Sequence, residues 1–484
     1  MKNETTLLSK FGNAAKWSTM TELSTKLIVP ITNMLLARLL APEVFGVVTM
    51  VTIFISFTDL FTDAGFQKYL IQHQFEDDKD KEQSTNVAFW TNLTMSFILW
   101  IIIVLLKDDI ASFIGNPNLG NVIAISCIQL PLTSFSSIQI AIYKREFNFK
   151  TLFIVRVIVA FIPLIVSVPL AFIGYGYWSI IIGTICGAVL SAIILTIKSK
   201  WKPSFFYSFS ILKKMISFSL WSLFEALSIW VTAWIDVLII GSFLSGYYVG
   251  LYTNSLNLVN ALMAIITSSI TPILFSGLSR LQSDQKAFSE MFLKTHKVIA
   301  FLVFPIGVGL FLYSDLVTGI MLGPKWKMAS DIIGIWALTS AIRIVMTSIY
   351  SEAYRAKGMP KLSFFLQVFD LVFLIPICLI SAHYGFWPLV YARAFMRFNL
   401  VIPGLIVMSR IIHISALNIL KNLKNPIITT TTIGLIAIIF KMINDTLLWN
   451  ITTILFCLLV YLFLVFSLEK SQITFLINTI KRRV

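Results

Sequence analysis

Apolar runs of about twenty residues recur along the whole chain, separated by short polar breaks, and each is long enough to cross a bilayer as a helix. A large soluble helical protein would alternate apolar and polar faces with a 3.6-residue period; these runs are apolar nearly all round. The pattern predicts fourteen spans, near 15–36, 44–66, 86–106, 119–142, 151–173, 177–197, 215–241, 248–275, 298–313, 330–350, 361–382, 386–409, 425–443 and 447–467. One hairpin is repeated. Met34–Gln72 closes an apolar helix, turns through Ala37–Gly46 and opens a second, and the same shape returns at Gly241–Gly250. The expected fold is an all-α integral membrane protein of about 14 transmembrane helices. They form two pseudo-symmetric six-helix lobes, 1–200 and 201–410, with 411–484 holding two further helices and a cytoplasmic tail.

Charge sharpens this picture. The chain carries 38 basic and 23 acidic residues, a net +15, with 57% hydrophobic and only 13% charged residues. With the N-terminus in the cytoplasm, 28 basic residues fall in the inner loops and termini. Arg38, Lys107, Lys325, Lys327 and Lys441 alone fall outside. That asymmetry fixes the orientation with both termini cytoplasmic, and one span too many or too few would scramble it. The excess charge faces anionic lipid. No exposed groove with interleaved aromatics suggests nucleic acid. Met1–Lys16 is polar and lacks the pattern of a cleavable signal. Cys127, Cys186, Cys378 and Cys457 sit in apolar runs and read as buried small hydrophobes, with no disulfide framework.

Five bases lie inside predicted spans: Lys26, Arg156, Arg343, Arg393 and Arg397. Seven acids accompany them: Glu22, Asp59, Asp63, Glu225, Asp236, Glu352 and Asp370. Ionised groups at membrane depth cost roughly 2.5–3.5 kcal/mol each on insertion scales, so they face a partner or a wet cavity. Glu22, Lys26 and Asn33 fall within about 40° of one helical face. Thr52, Ser56, Asp59 and Asp63 form a second stripe, Glu225, Thr232 and Asp236 a third, and Arg393 with Arg397 a basic pair. These stripes suggest one shared cavity between the repeats. Mutual neutralisation is the plainer alternative, and Glu22 with Lys26, four residues apart, can achieve it alone. Glu352, Asp63 and Glu22 lie near span ends and can reach the interface. Pro30, Pro163, Pro169, Pro272, Pro305, Pro376 and Pro403 permit kinks in the helices.

Catalytic signatures are absent. The chain has no phosphate-binding G-x-x-x-x-G-K-[ST] loop and no His-Glu-x-x-His. His73, His296, His383 and His413 stand singly and read as interface or loop residues. Glu76–Glu82 is a mixed-charge loop that reads as a solvated face rather than a metal site. No metal, cofactor or enzymatic nucleophile is expected.

The segment Ala37–Gln72, ARLLAPEVFGVVTMVTIFISFTDLFTDAGFQKYLIQ, resembles the first hairpin of the polysaccharide-transporter branch of the multidrug/oligosaccharidyl-lipid/polysaccharide flippase superfamily. Ile235–Tyr252 and Thr271–Asp284 are similar to its C-terminal stretches, and the likeness is greatest to O-antigen, colanic-acid and teichuronic-acid exporters. Ser245–Tyr248 departs from the family, where a glycine or acidic residue is common in that turn. The resemblance implies a flippase of the bacterial cytoplasmic (inner) membrane. It would turn undecaprenyl-diphosphate-linked oligosaccharide repeat units to the outer leaflet for surface polysaccharide or capsule, working beside a polysaccharide polymerase and export machinery. Lys26, Arg156, Arg343, Arg393 and Arg397 become candidate diphosphate contacts. Glu22, Asp59, Asp63, Glu225, Asp236 and Asp370 become ion-coupling or counter-charge candidates, with H⁺ or Na⁺ as the driving ion. Two alternatives stay open: a cation-coupled drug antiporter of the same superfamily, and a membrane-embedded polysaccharide polymerase or ligase. The short outer loops and the five intramembrane bases weigh against them.

Overall fold

The computed structural model of the chain describes residues 2–63, 66–113 and 116–469. Within its helices the side chains of residues 2–15, 19, 23, 61–63, 113, 217–225, 269 and 360 fall outside the described set. The described residues form helices and connecting turns only. In chain order the α-helices are α1 (Lys2–Leu39), α2 (Pro42–Asp63), α3 (Phe66–Gln72), α4 (Asp78–Leu105), α5 (Lys107–Phe113), α6 (Gly120–Ser126), α7 (Gln129–Arg145), α8 (Phe149–Ile162), α9 (Val168–Phe172), α10 (Tyr177–Lys198) and α11 (Phe209–Phe243). They continue with α12 (Gly246–Arg280), α13 (Gln285–Leu312), α14 (Ser314–Met321), α15 (Ala329–Arg343), α16 (Ile349–Ala356), α17 (Pro360–His383), α18 (Phe386–Met396), α19 (Val401–Arg410), α20 (Ala416–Asn422), α21 (Lys424–Ile443) and α22 (Leu447–Leu468).

Thirteen stretches among the described residues are long and apolar enough to cross a membrane, and they coincide with the second to fourteenth expected spans. The first expected span lies in α1, which is helical throughout. Its hydropathy is lowered by Glu22, Lys26 and several Thr and Asn residues, so composition alone does not mark it as a span.

Local chemistry sets the helix starts. Asp77, Asn148 and Asp284 cap α4, α8 and α13 by accepting backbone N–H bonds from Asp80 (2.6 Å), Thr151 (3.3 Å) and Ala287 (3.0 Å). Arg145, counted above as an inner-loop charge, caps the other end of a helix. It donates to the carbonyls of Leu70 (2.7 Å) and His73 (2.8 Å) at the close of α3 and lies 4.5 Å over the Phe75 ring. At Pro163 the helix from Phe149 passes into a π-helical turn, Pro163–Ser167, before α9.

By internal packing the chain divides into two compact units, Met1–Leu251 and Tyr252–Val484. The first is cored by Phe66, Leu70, Val87, Phe89, Ile138 and Met215. Polar side chains cross-link its helices, Asn92 to Ser137 (2.7 Å) and Gln139 to Thr196 (2.9 Å). In the second unit α21 and α22 pack on α13 through Phe301, Ile433 and Tyr461. Lys297 pairs with the buried carboxylate of Glu469, which also accepts from Asn425 at 2.6 Å, so the two last helices are pinned to α13.

Both repeated hairpin turns lie in the first unit, and they meet backbone to backbone. A Cβ on Gly46 would stand 1.8 Å from the carbonyl oxygen of Gly246, and one on Gly250 would stand 1.8 Å from that of Pro42. Neither backbone can yield as a side chain would, so both positions require glycine. A side chain on Gly246 itself would meet nothing within 4 Å. Gly46→Ala and Gly250→Ala are therefore expected to destabilise the folded protein by about 1–3 kcal/mol through overpacking, while Gly246→Ala stays near wild type. Thermal unfolding of the three purified variants checks this ranking; equal effects would contradict the seam.

Candidate functional site

Three of the five intramembrane bases gather in the second unit. Arg343 is the last residue of α15, and a π-helical turn, Ile344–Ser348, follows it before α16 begins. Such an insertion shifts the helical register and often marks a functional position. The turn is contacted by His296, whose Nε2 lies 3.1 Å from the Val345 carbonyl oxygen. His296 is fully buried between Phe292 and Tyr350, so it is a core residue and not the interface or loop residue expected.

The neighbouring span is broken as well. α18 ends at Met396, residues 397–400 form turns, and α19 begins at Val401, which places Arg397 at the break. Arg397 and Arg393 both lie over the Trp336 ring, at 3.9 and 5.6 Å from its centroid. Arg397 also donates to the Ser340 hydroxyl at 2.9 Å. Two cations share one indole here, and both are buried. The quadrupole of the ring offsets part of their desolvation.

Between these two breaks and α12 lies a cavity of about 480 Å³. Arg343, Arg355 and Arg397 line it, together with Glu352 and hydroxyls that include Ser340, Ser348, Thr267 and Thr271. Arg355 bonds Glu352 at 2.5 Å. Behind the wall, buried Asp370 of α17 pairs with Arg343 at 3.7 Å and accepts from Asn399 at 3.3 Å. Four arginines against two carboxylates leave the cluster a formal +2. A volume of this size, lined by fork-shaped donors and hydroxyls, suits a small polyanionic group with polar substituents.

The remaining expected residues lie in the first unit. Lys26 pairs with Glu22 at 3.8 Å, the self-neutralising arrangement their spacing allowed. Arg156 is exposed on α8 and makes no ion pair among the described residues. Asp59 accepts from Thr133 at 3.4 Å. Asp236 is buried, and its carboxylate accepts from the backbone N–H of Val237 at 2.9 Å. The side chains of Asp63 and Glu225 lie outside the described residues. The stripes of α2 and α11 do touch: Trp230 Nε1 donates to Ser56 at 2.9 Å. The hydroxyls of Thr52 and Ser56, however, bond back to their own helix, to the Val48 and Ile53 carbonyls. Among the cysteines, Cys186 is exposed and the other three are buried.

Residues absent from the sequence-based set are Arg355, Trp336, Ser340 and Thr267. Arg355 is one of the 28 bases counted as inner-loop charges, and Trp336 falls within the expected span 330–350. An arginine three residues beyond an intramembrane glutamate, at Glu352 and Arg355, was the available signal.

Removing Arg343 would leave Asp370 buried with Asn399 as its remaining partner. Arg343→Ala should cost about 2 kcal/mol of stability, at the low end for a broken buried pair because the arginine keeps 26% of its side-chain surface exposed. Arg343→Ala/Asp370→Asn should recover most of that loss. A double-mutant cycle by thermal unfolding measures the coupling, and strict additivity would contradict the pairing.

The chain matches the model of the polysaccharide biosynthesis protein family over residues 35–331. It is 22% identical to the succinoglycan biosynthesis transport protein ExoT of Rhizobium meliloti over 67% of this chain, and spans 65% of that relative, just under two thirds of its length. It is 21% identical to the lipopolysaccharide biosynthesis protein WzxC of Escherichia coli, covering 78% of this chain and 76% of that one. Among solved structures, the lipid II flippase MurJ in an inward closed conformation superposes with a TM-score of 0.76 at 17% identity, over 95% of this chain and all of that one. That likeness establishes the fold, an all-helical many-span membrane architecture. With a family match over more than half its length and thirteen apolar helices, the chain is a multi-pass membrane protein and belongs to the polysaccharide biosynthesis protein family.

Proposed function

We propose that the protein is a flippase that moves undecaprenyl-diphosphate-linked oligosaccharide repeat units across the bacterial cytoplasmic membrane for surface polysaccharide assembly. The observation that carries this reading is the arginine-lined cavity at the two broken spans. A diphosphate is compact, hydrated and anionic, and guanidinium groups bind it through paired N–H···O bonds. The formal +2 of the cluster suits such a head group and disfavours a cationic cargo. Hydroxyls along the same wall offer partners for the adjoining sugar, while the prenyl tail stays in the bilayer. Arg343 and Arg397 take the role of direct contacts. Arg393 shares the Trp336 ring with Arg397 and holds the local field. Lys26, neutralised by Glu22, is a weaker candidate than its position alone suggests.

The relatives' names support transport over polymerisation or ligation. The inner-loop charge excess supports cytoplasmic termini, and it puts the Arg355 end of the cavity toward the leaflet where lipid-linked sugars are made. Asp370, between Arg343 and Asn399, is the first candidate for coupling to an H⁺ or Na⁺ gradient, followed by Asp59 and Asp236. In this reading helices from residues 1–200 rock against those of 201–410, with 411–484 as an appendage, and a polysaccharide polymerase receives the product.

In a bacterium dependent on this protein, Arg343→Gln/Arg397→Gln should abolish surface polysaccharide while membrane insertion and the size-exclusion profile stay intact. Complete lipid-linked repeat units should then accumulate on the cytoplasmic leaflet. Single repeat units already facing outward would instead indicate a blocked polymerase. Normal surface polysaccharide in the double variant would overturn the assignment.

A further inference from the structure

The connection from α10 to α11 is irregular over residues 199–208, yet it is fastened to α4. The Asn86 amide donates to the Ser204 hydroxyl at 2.8 Å, and its oxygen accepts the Ser204 backbone N–H at 3.0 Å. Trp90 Nε1 donates to the Ser204 carbonyl at 2.8 Å, and the Thr91 and Tyr207 hydroxyls lie 3.0 Å apart. On the inner side Trp201, Phe206, Ile211 and Leu212 pack on the core around Phe89. The backbone is thus fixed, and it holds two rings outward: Phe205 is 98% exposed and Phe209 78%. Phe205 stacks on Trp90 at 5.2 Å, and Phe209 meets Tyr207 edge-on at 5.4 Å. Water is an unfavourable environment for apolar rings that the fold cannot withdraw.

The attachment to α4 sets the depth of these rings. Phe97, Ile98, Ile101, Ile102 and Leu105 form an exposed apolar face on that helix, and Lys107, Asp108 and Asp109 end it. At 1.5 Å per residue, Asn86 and Trp90 stand about 32 and 26 Å before Lys107 along the axis. A hydrocarbon core about 30 Å thick therefore has its other edge beside them. The charged run Asp77–Glu82 lies farther out still. Exposed lysines flank the segment, Lys198 and Lys200 before it and Lys213 and Lys214 after it. Aromatic rings between an apolar face and basic side chains are characteristic of the membrane interface. Irregular backbone can approach hydrocarbon only where its polar groups are paired. Those of Ser204 are paired, to Asn86 and Trp90.

We propose that residues 203–209 anchor the protein in the interfacial zone of the leaflet that the charge asymmetry assigns to the cytoplasmic side. The partner is the lipid surface. Phe205 and Phe209 enter the acyl chains just below the headgroups, and the flanking lysines face anionic headgroups. The connection between the two expected six-helix lobes is then held at a set depth, whereas its basic flanks alone suggest a loop in water. The inference concerns contact with lipid and does not depend on what the arginine cavity carries.

The test uses the full-length protein in nanodiscs of phosphatidylcholine and phosphatidylglycerol, with Cys186→Ser removing the exposed native thiol. Phe205→Cys, Phe209→Cys, Lys79→Cys and Ile98→Cys, each made singly, carry one fluorophore. Lys79 is exposed in the charged run at the start of α4, and Ile98 is exposed within its apolar face. At 205 and 209, lipid with a nitroxide near the headgroup should quench about twofold more than lipid with one near the chain end. Aqueous iodide should quench these two positions weakly. The order of the two lipids should reverse at 98. Iodide alone should quench at 79, which shows that the dye does not draw itself into lipid. Iodide quenching at 205 equal to that at 79 would place the rings in water and overturn the anchor. Quenching by neither agent would mean that protein covers the segment, a second copy included, and would overturn it as well. Stronger quenching from the chain-end nitroxide would contradict the interfacial depth.

Discussion

A guanidinium group inside a membrane protein must have a partner, an aromatic face or water, because hydrocarbon offers none of them. That constraint organises the second unit. Arg343 finds Asp370, Arg355 finds Glu352, and Arg397 finds Ser340 and the Trp336 ring that it shares with Arg393. Each of these partners comes from a helix that is interrupted beside the cavity or packed directly behind it. A continuous α-helix through 344–348 or 397–400 would rotate the residues on either side of the break relative to one another. The irregular backbone and the buried charge are thus parts of one arrangement, and each is tolerable because the other is present.

The first unit answers a different constraint. Its two related hairpin turns are pressed together until only hydrogen fits at Gly46 and Gly250. Contact of this kind relies on van der Waals approach between backbones, the main source of helix association where lipid is as apolar as the side chains. Side chains join the same two hairpins farther along, where Trp230 of α11 donates to Ser56 of α2 and lies 4.9 Å from the Phe57 ring. The charges of this unit are correspondingly modest, with Glu22 and Lys26 neutralising each other and Asp59 bonded to a threonine.

Much of this architecture was legible in the chain. Apolar runs of bilayer length, separated by basic loops, overlap thirteen observed stretches, because length and hydropathy are local properties. Several helices nevertheless begin eight or more residues earlier than expected, as at Asp78 and Gln285. The pairing of Glu22 with Lys26 followed from helical spacing alone. The repeated hairpin was visible as two Gly-bounded turns, although the contact between those turns is tertiary and carries no local mark. The interruptions went unread for a physical reason. No proline or glycine lies within 344–348, and Pro403 lies past the break at Arg397, so the sequence shows no breaker where the helices change register. Without those breaks Arg355 reads as a loop charge and Trp336 as ordinary apolar surface. His296 misled in the opposite sense. A lone histidine near a span end suggests the interface, yet its ring is buried between Phe292 and Tyr350 and meets the Val345 carbonyl inside the π-turn.

The decisive comparison is the binding of a short-chain polyprenyl diphosphate and of the uncharged polyprenol to the purified protein. The diphosphate should bind and the alcohol should not. Affinity should fall at least tenfold in Arg343→Gln/Arg397→Gln and stay unchanged in Lys198→Ala/Lys200→Ala. Equal affinity with and without the two arginines would show that the head group is held elsewhere.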